Sequence, residues 1–189
     1  MLTIYQKIQK IESLQTEADN ETKAFKNRYK IDCLEFCSKC CRYEDINATT
    51  LEFLPLAWHF YKTGQLEEIH NKISNYNEPQ CIFSILEKGK WGCSVYPSRG
   101  LICRLFGFAS VENKYGKPVF AVCHSLKVAK PNEISTICEK IEKGGKTPVI
   151  SDFYRKLAMI DLKLGEELLP INQAIKSACE IIFMHTAYR

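Results

Sequence analysis

The sequence predicts a mainly α-helical fold with small β-hairpins, in which helices wrap an irregular, cysteine-rich core. Apolar residues recur at helical spacing near both ends, two β-prone stretches lie between them, and eight of the ten cysteines fall between residues 33 and 123. A chain of 189 residues with 46% hydrophobic residues suits one domain. We predict a single domain over 1–189, with an N-terminal helix over 1–29, a cysteine-cluster core over 30–125 and C-terminal helices over 131–189.

The first predicted element is an amphipathic helix that reaches about Tyr29. Charged residues separate apolar positions that recur three or four residues apart, so we expect one face of the helix to be buried. These apolar positions are Ile4, Ile8, Ile11 and Leu14.

Two more helices are predicted before residue 79. Thr49, with Glu52 three residues later, forms a capping box that opens a helix over TTLEFLPLAWHFYKTG. Pro55 should kink or restart this helix, and Gly64 should end it. The next stretch, LEEIHNKISNY, also repeats its apolar residues at helical spacing and predicts a helix.

A first β-hairpin is predicted over CIFSILEKGKWGCSVY. Two β-prone runs flank Lys88-Gly89-Lys90, with Cys81 near the start of the stretch and Cys93 in the second strand. Antiparallel strands place opposed residues about 5 Å apart. The hairpin is therefore expected to bring Cys81 and Cys93 together.

A second hairpin is predicted over RLFGFASVENKYGKPVFAVC. Its turn falls at Asn113 to Gly116, with Cys103 and Cys123 at its outer ends. The rest of the chain predicts helices over PNEISTICEKIEKGG, SDFYRKLAMIDLKLG and LPINQAIKSACEIIFMHTAYR, the last with Pro170 near its first turn. The apolar stripe of that last helix is Ile171, Ala174, Ile175, Ala178 and Ile182.

The net charge of +4 lies in the middle of the chain. Residues 81–130 hold eight Lys and Arg against two Asp and Glu, whereas residues 1–80 hold ten against twelve and residues 131–189 eight against eight. Such a stretch forms a solvated face, contacts a polyanion, or compensates an anionic metal-thiolate site. Four cysteines in the same fifty residues favour compensation and disfavour nucleic acid as a partner.

The N-terminal stretch MLTIYQKIQKIESLQ is charged every few residues and has no apolar signal-peptide core, and no apolar run approaches the roughly 18 residues of a membrane span. We therefore expect a cytoplasmic protein with no membrane partner. Disulfides seldom persist in that compartment, so ten cysteines point to metal binding or redox chemistry. The predicted core is accordingly braced by metal.

The cysteine spacing begins with a C-x3-C-x2-C-C cluster, and four more cysteines follow at long intervals. Two residues between Cys37 and Cys40 let a tight turn present both sulfurs to one ion. The side chains of Cys40 and Cys41 should diverge, so they suit different ions or different corners of one cluster. The candidate metal ligands are Cys33, Cys37, Cys40, Cys41, Cys81, Cys93, Cys103 and Cys123.

Three positions near these ligands have two interpretations each. Arg99 and Arg104 flank Cys103 and either donate hydrogen bonds that support the site or are ordinary surface arginines. His124 either replaces Cys123 as a ligand or is simply a polar neighbour. Cys138 and Cys179 lie on apolar faces of predicted helices and are expected to act as small hydrophobic residues.

The pattern resembles the bacterial and archaeal YkgJ-type cysteine-cluster family, described as zinc- or iron-chelating domains. The resemblance covers roughly residues 30–125 and rests on the cluster, CIF at Cys81, CSVY from Cys93, and SRGLICRLF with Arg99, Cys103 and Arg104. Ser38 stands where the family often has Gly, and Gly100 where it usually has Pro. Neither position carries a thiol, so the resemblance implies metal binding.

The metal is open between zinc and iron–sulfur. Eight thiols complete two zinc sites of four cysteines each, or hold one four-iron cluster with spare ligands. We favour an iron–sulfur cluster, because three thiols in five residues are more congested than two independent zinc sites require. Some family members are similar to a protein that methylates lysines of bacterial flagellin, which implies a metal-cluster-dependent modifying enzyme with a protein substrate as the alternative function.

Overall fold

The computed structural model describes residues 2–34, 37, 39–87 and 90–187. Ser38 and the turn residues Lys88 and Gly89 lie outside the described residues. The described chain forms nine α-helices and three short two-stranded antiparallel sheets, which confirms the predicted mainly α-helical fold with small β-hairpins. Within these residues, no helix has both the length and the apolar character needed to cross a membrane.

The first helix, α1 (Ile4–Tyr29), follows the predicted pattern. Thr3 caps its N-terminus in a capping box with Gln6, and Lys30 ends it in a left-handed conformation. The predicted face is buried through Ile8, Ile11 and Leu14. Residues in the second half of this helix line the cavity of the site described below.

The capping box at Thr49 and Glu52 forms as predicted. The backbone N–H of Thr49 donates to Glu52 Oε1 over 2.8 Å, and the Glu52 N–H reaches back to Thr49 Oγ1 over 3.4 Å. A 3₁₀ turn over Leu51–Phe53 then leads into α2 (Leu54–Lys62), whose first turn holds Pro55, where the missing N–H leaves no broken hydrogen bond. Helix α3 (Leu66–Ser74) follows.

Three sheets connect the helices. The strands are β1 (Asn47–Thr49), β2 (Ser84–Glu87), β3 (Lys90–Cys93), β4 (Ser110–Glu112), β5 (Pro118–Phe120) and β6 (Leu168–Pro170). The pairs β2–β3 and β4–β5 are the two predicted hairpins. The pair β1–β6 was not predicted; it joins segments about 120 residues apart.

The remaining helices are α4 (Leu101–Leu105), α5 (His124–Ala129), α6 (Pro131–Glu142), α7 (Ile150–Ala158), α8 (Leu162–Glu166) and α9 (Ile171–Ala187). The stripe predicted for the last helix is fully buried. The second hairpin differs from its prediction at its outer ends, because Cys103 lies in α4 and Cys123 caps the N-terminus of α5. The two thiols therefore do not face each other across a ladder.

Buried apolar residues form two clusters. The first cluster is the larger and combines α1, α2, α4, α7 and α9. The second cluster joins the end of α1 and the segment after it to the second hairpin, α5 and α6. The second cluster consists of Phe25, Ile31, Phe108, Phe120, Cys123, Leu126, Ile134, Ile137 and Ile141.

Asn172, in the first turn of α9, ties that helix to the segment before the first hairpin. Its Oδ1 accepts the backbone N–H of Ile82 over 3.0 Å, and its Nδ2 donates to the carbonyls of Gln80 and Glu78 over 2.8 and 3.4 Å. The side chain thereby replaces the backbone partners that an irregular segment lacks. The chain on both sides of Cys81 is consequently held against α9.

Candidate metal centre

A cavity of about 930 Å³ lies between the second half of α1, the segment 32–41, the first hairpin and residues 95–106. Seven of the eight candidate ligands line it, and Cys123 is the exception. The fold has therefore gathered residues that are up to 70 positions apart in sequence around one space. The lining cysteines are Cys33, Cys37, Cys40, Cys41, Cys81, Cys93 and Cys103.

Cys40 and Cys41 lie on a 3₁₀ turn over Lys39–Arg42. Their Sγ atoms are 3.9 Å apart, close enough for one thiol to donate a hydrogen bond to the other. This bond lowers the pKa of Cys40 and raises that of Cys41, because it stabilises a Cys40 thiolate against a Cys41 thiol. The sequence predicted that these neighbouring side chains diverge, but the turn instead brings the two sulfurs together.

The backbone connects this turn to the first hairpin. The Cys41 carbonyl accepts the backbone N–H of Cys81 over 3.1 Å, which fixes the start of the hairpin segment beside the turn. Cys93 is the last residue of β3 and lies opposite Ser84 in the ladder. The sequence predicted that the hairpin brings Cys81 and Cys93 close together, and the electrostatic interaction between the two thiols agrees with this.

Backbone N–H groups point at these two sulfurs. The N–H of Phe83 donates to the Cys81 thiol, and the N–H of Val95 donates to the Cys93 thiol, in each case from two residues further along. Such donors stabilise sulfur in its anionic, metal-binding form. Burial outweighs them in the metal-free protein and raises the pKa of Cys81 to about 11 and that of Cys93 above its ordinary value.

Helix α4 presents Cys103, and the buried carboxylate of Glu52 holds the start of that helix. Glu52 is 1% exposed, and its Oε2 accepts the N–H of Ile102 over 2.8 Å. Its Oε1 accepts from the Tyr154 hydroxyl over 3.0 Å as well as from Thr49. Burial raises the pKa of Glu52 while these donors oppose the shift.

The predicted supporting arginines have different surroundings. Arg99 stacks on Tyr96, with its guanidinium carbon 3.6 Å from the ring centroid, and its charge acts to lower the pKa values of Cys40, Cys93 and Cys103. Arg104 donates to Asp19 and also interacts electrostatically with Cys103. Arg99 thus acts on three of the candidate thiols, and Arg104 on one.

Arg104 instead fastens α4 to its surroundings. Its Nη2 donates to the Pro97 carbonyl over 2.7 Å and its Nε to the Arg99 carbonyl over 3.0 Å, while Nη1 binds Asp19 on α1. The side chain is 7% exposed, so these bonds lie largely out of water. Arg104 consequently joins the wall formed by α1 to the segment that carries Cys103.

Cys33 and Cys123 differ in their surroundings. Cys33 lines the cavity and is exposed, whereas Cys123 is buried in the second cluster. Burial, together with the charges of Cys37, Cys40 and Cys123, raises the pKa of Cys33 to about 11. His124, the alternative ligand, is the first residue of α5 and is exposed.

Sequence reasoning missed Glu52 and Tyr154 as parts of the site. The sequence identified Glu52 only as a capping residue. Its hydrogen-bond partners in α4 and α7, Ile102 and Tyr154, lie 50 and 102 residues further along the chain, so sequence spacing could not reveal them. Cys138 and Cys179, which we excluded, line no part of the cavity.

The donor set suits a soft, thiophilic metal. Thiolate sulfur favours zinc and iron–sulfur clusters over hard cations that prefer oxygen. Among the described residues no three Cys, His, Asp or Glu side chains already converge as ligands of a single ion. The candidate ligands therefore fit a thiophilic metal in two respects: their sulfur chemistry, and the location of seven of them around one cavity.

A model of the CxxCxxCC family, described as a putative zinc- or iron-chelating domain, matches residues 32–139, which is more than half of the chain. The chain belongs to this family. The resemblance found in the sequence is confirmed, and the CxxCxxCC match extends past the predicted limit of residue 125. Metal chelation is the activity by which the CxxCxxCC family is described. No curated protein and no solved structure matches the chain.

Gly100, one of the two departures from the CxxCxxCC pattern, has a packing reason in this chain. A Cβ at this position would lie 2.6 Å from Phe53 Cζ and 2.8 Å from Glu52 Oε2. Both neighbours are buried, so neither can move aside easily. Glycine lets α4 approach the Thr49–Glu52 turn closely enough for the bond from Ile102 to Glu52.

We expect Gly100→Ala to lower the free energy of unfolding by about 1–3 kcal/mol, as overpacking does in well-packed cores. Chemical denaturation of the two proteins measures this change. The control is a double-mutant cycle with Phe53→Leu, which removes the ring that the new methyl group would meet. If the two substitutions are simply additive, the clash with Phe53 is not the cause.

Proposed function

We propose that this protein is a cytoplasmic metal-binding protein that holds an iron–sulfur cluster through its cysteine thiolates. The gathering of seven thiols around one cavity carries the proposal, because cysteines with separate structural roles have no reason to meet there. The candidate ligands are those seven cysteines and Cys123. When bound, the cluster supplies electron transfer or Lewis acidity.

The size of the cavity favours a cluster over a single zinc ion. A closed zinc site packs four sulfurs about 2.3 Å from the metal and leaves little space between them. The cavity here measures about 930 Å³, and seven thiols line it. Thiols spread around such a space suit a larger inorganic core.

The surroundings of the thiols support anionic ligation. The N–H groups of Phe83 and Val95 donate to sulfur, and the Arg99 guanidinium contributes positive charge. Each free thiol whose pKa is raised must lose a proton to become a ligand, so loading is expected to release protons. The role of this chain's residues is to gather the thiols and to balance the charge of the thiolates that form on loading.

The deciding experiment is anaerobic purification followed by elemental analysis and a visible absorption spectrum. We expect a brown protein that contains iron and acid-labile sulfide, with a charge-transfer band that bleaches on reduction. A colourless protein with stoichiometric zinc would contradict the cluster but keep metal binding. A folded protein without metal would contradict both. Cys179→Ser is the matched control, since this buried cysteine lies away from the cavity and its loss should leave the spectrum unchanged.

A cluster-dependent protein-modifying enzyme, such as a protein lysine methyltransferase, is the second candidate. The cavity volume favours it, because pockets for organic ligands measure about 300–1,000 Å³ and 930 Å³ leaves room beside a cluster. Methyl transfer from S-adenosylmethionine to candidate protein substrates tests this function directly. Absence of both turnover and cofactor binding in the metal-loaded protein would contradict it.

A further inference from the structure

Helix α1 forms a side of the cavity that carries no candidate metal ligand. The α1 residues that line the cavity recur three or four positions apart, so they share one face of the helix. The first cysteine of the chain is Cys33, so every thiol at the cavity belongs to another segment. A metal held by those thiols leaves the α1 side for other contacts. The α1 residues that line the cavity are Asp19, Thr22, Lys23, Lys26 and Asn27.

The charged side chains around the cavity do not all have a partner of opposite sign. Among the described residues, four cations and two carboxylates line it. Asp32 binds Lys26 Nζ over 2.8 Å, and Asp19 binds Arg104. Both carboxylates are thus already paired. In the part of the chain that the structure describes, the other two cations, Lys23 and Arg99, have no carboxylate partner.

Arg99 is held in place but keeps unused hydrogen-bond donors. Its Nε donates to the Tyr96 carbonyl over 3.0 Å, and its Nη1 reaches the Cys103 carbonyl over 3.5 Å. The guanidinium also stacks on the Tyr96 ring. Within the described ranges Nη2 has no partner. A fixed guanidinium with free N–H groups suits a carboxylate or a phosphate, because its planar fork matches two of their oxygens.

Arg104 brings the two unmatched cations to the same region. Its guanidinium donates to the Arg99 carbonyl over 3.0 Å and also to the Asp19 carboxylate. Lys23 lies one turn after Asp19, and residues at this spacing are about 5–6 Å apart on a helix surface. Lys23 and Arg99 therefore lie near the two ends of one bridge between α1 and the segment that leads into α4.

Aromatic side chains give the same cavity an apolar surface. Tyr96 and Phe106 line it and are 56% and 37% exposed. Phe108 lines it as well, with Lys26 Nζ 4.3 Å from the centroid of its ring. Apolar and aromatic walls with a few placed polar groups are typical of sites for small organic molecules. The cavity thus offers both an apolar surface and positive charge to one ligand.

From these features we infer that the α1 side of the cavity binds a small organic anion, a carboxylate or phosphate on an aromatic or other apolar body. Lys23 and Arg99 bind the anionic group, and Tyr96 and Phe106 contact the apolar body. No thiol belongs to this site, so the inference goes beyond the proposed metal binding and can fail without it. A metal on the thiol-bearing side would lie beside the bound anion.

Equilibrium dialysis of the full-length protein as purified against naphthoate tests the inference, with neutral naphthamide as the comparison. We expect one naphthoate per chain and about tenfold weaker binding of naphthamide, because the amide keeps the rings and lacks the charge. Naphthyl phosphate shows whether phosphate or carboxylate is preferred. Acetate, which has no apolar body, should compete poorly. Equal affinities for naphthoate and naphthamide, binding of neither aromatic anion, or competition by acetate as strong as by naphthoate would overturn the inference.

The variant Lys23→Gln tests the α1 side directly. We expect it to weaken naphthoate binding about tenfold, since it removes one charge-assisted contact. Lys10→Gln is the matched control, because Lys10 is also an exposed lysine of α1 without an ion pair among the described residues, yet it does not line the cavity. Equal naphthoate affinities of the two variants would contradict the site.

Elemental analysis of the same samples separates the two proposals. A protein that binds naphthoate but contains no metal would contradict metal binding alone. A metal-loaded protein that binds neither naphthoate nor naphthyl phosphate would contradict the anion site alone.

Amine acetylation of the wild-type protein locates the ligand without any variant. Samples with and without naphthoate are treated with an activated acetate ester, and the modified lysines are identified by mass spectrometry. We expect naphthoate to slow the modification of Lys23 several-fold and to leave that of Lys10 unchanged. Equal rates at Lys23 with and without naphthoate, or equal protection of both lysines, would overturn the assignment.

Discussion

Replacing Glu52 with alanine is expected to lower the free energy of unfolding by about 3–5 kcal/mol, because several buried donors would lose their acceptor at once. The donors are the N–H groups of Thr49 and Ile102 and the hydroxyl of Tyr154. These groups belong to three separate parts of the chain, so the carboxylate joins β1, α4 and α7. Chemical denaturation of the full-length protein measures the change.

Two variants provide the controls for this prediction. Tyr154→Phe removes one donor and leaves the carboxylate, so we expect a loss of only about 1 kcal/mol. Glu52→Gln keeps the shape and one acceptor oxygen and should fall between the other two. Because Ile102 precedes Cys103, Glu52→Ala should also lower the amount of bound metal. A Glu52→Ala protein within 1 kcal/mol of wild type would show that the buried carboxylate is not a structural junction.

Removal of the metal is expected to produce the second large effect. A ligand present at about 1,000 times its dissociation constant stabilises the folded state by about 4 kcal/mol, and chelation removes that contribution. The loss should be local, since the apolar residues of α9 remain buried without metal. We expect amides in Lys39–Arg42 and in the first hairpin to lose protection from hydrogen exchange.

Hydrogen exchange with and without chelator, read segment by segment, tests this prediction. The amides in the middle of α9 are the internal reference, because Ala178 and Ile182 are completely buried there. Unchanged exchange near the cysteines, or an equal loss of protection throughout the chain, would contradict a local stabilising role for the metal.

The sequence predicted elements whose signals are local. Four apolar residues at helical spacing are enough to predict helix α1. Two residues three positions apart, Thr49 and Glu52, are enough to predict the capping box. Strands β1 and β6 escaped prediction because three residues carry too little periodicity and their partner is distant. The sequence placed Cys103 at the end of a hairpin. In the structure it lies in α4, whose first turn is held by a hydrogen bond from Ile102 to Glu52, a residue 50 positions earlier in the chain.

The candidate site was predictable as a list of thiols but not as a grouping. Spacing selected eight cysteines, of which seven line the cavity. Which thiols are neighbours depends on two apolar clusters, whose members come from both ends of the chain. The metal, its ligands and the single-domain organisation stay predictions.

The contacts of Asn172 have a consequence for the limits of the functional unit. This residue lies well beyond residue 139, where the family match ends, yet it holds the backbone on both sides of Cys81. Asp19, which binds Arg104, lies before the match begins. A fragment cut to residues 32–139 would keep every candidate ligand and lose both anchors. The segment that the family model matches therefore does not contain two of the contacts that hold the candidate site in this structure.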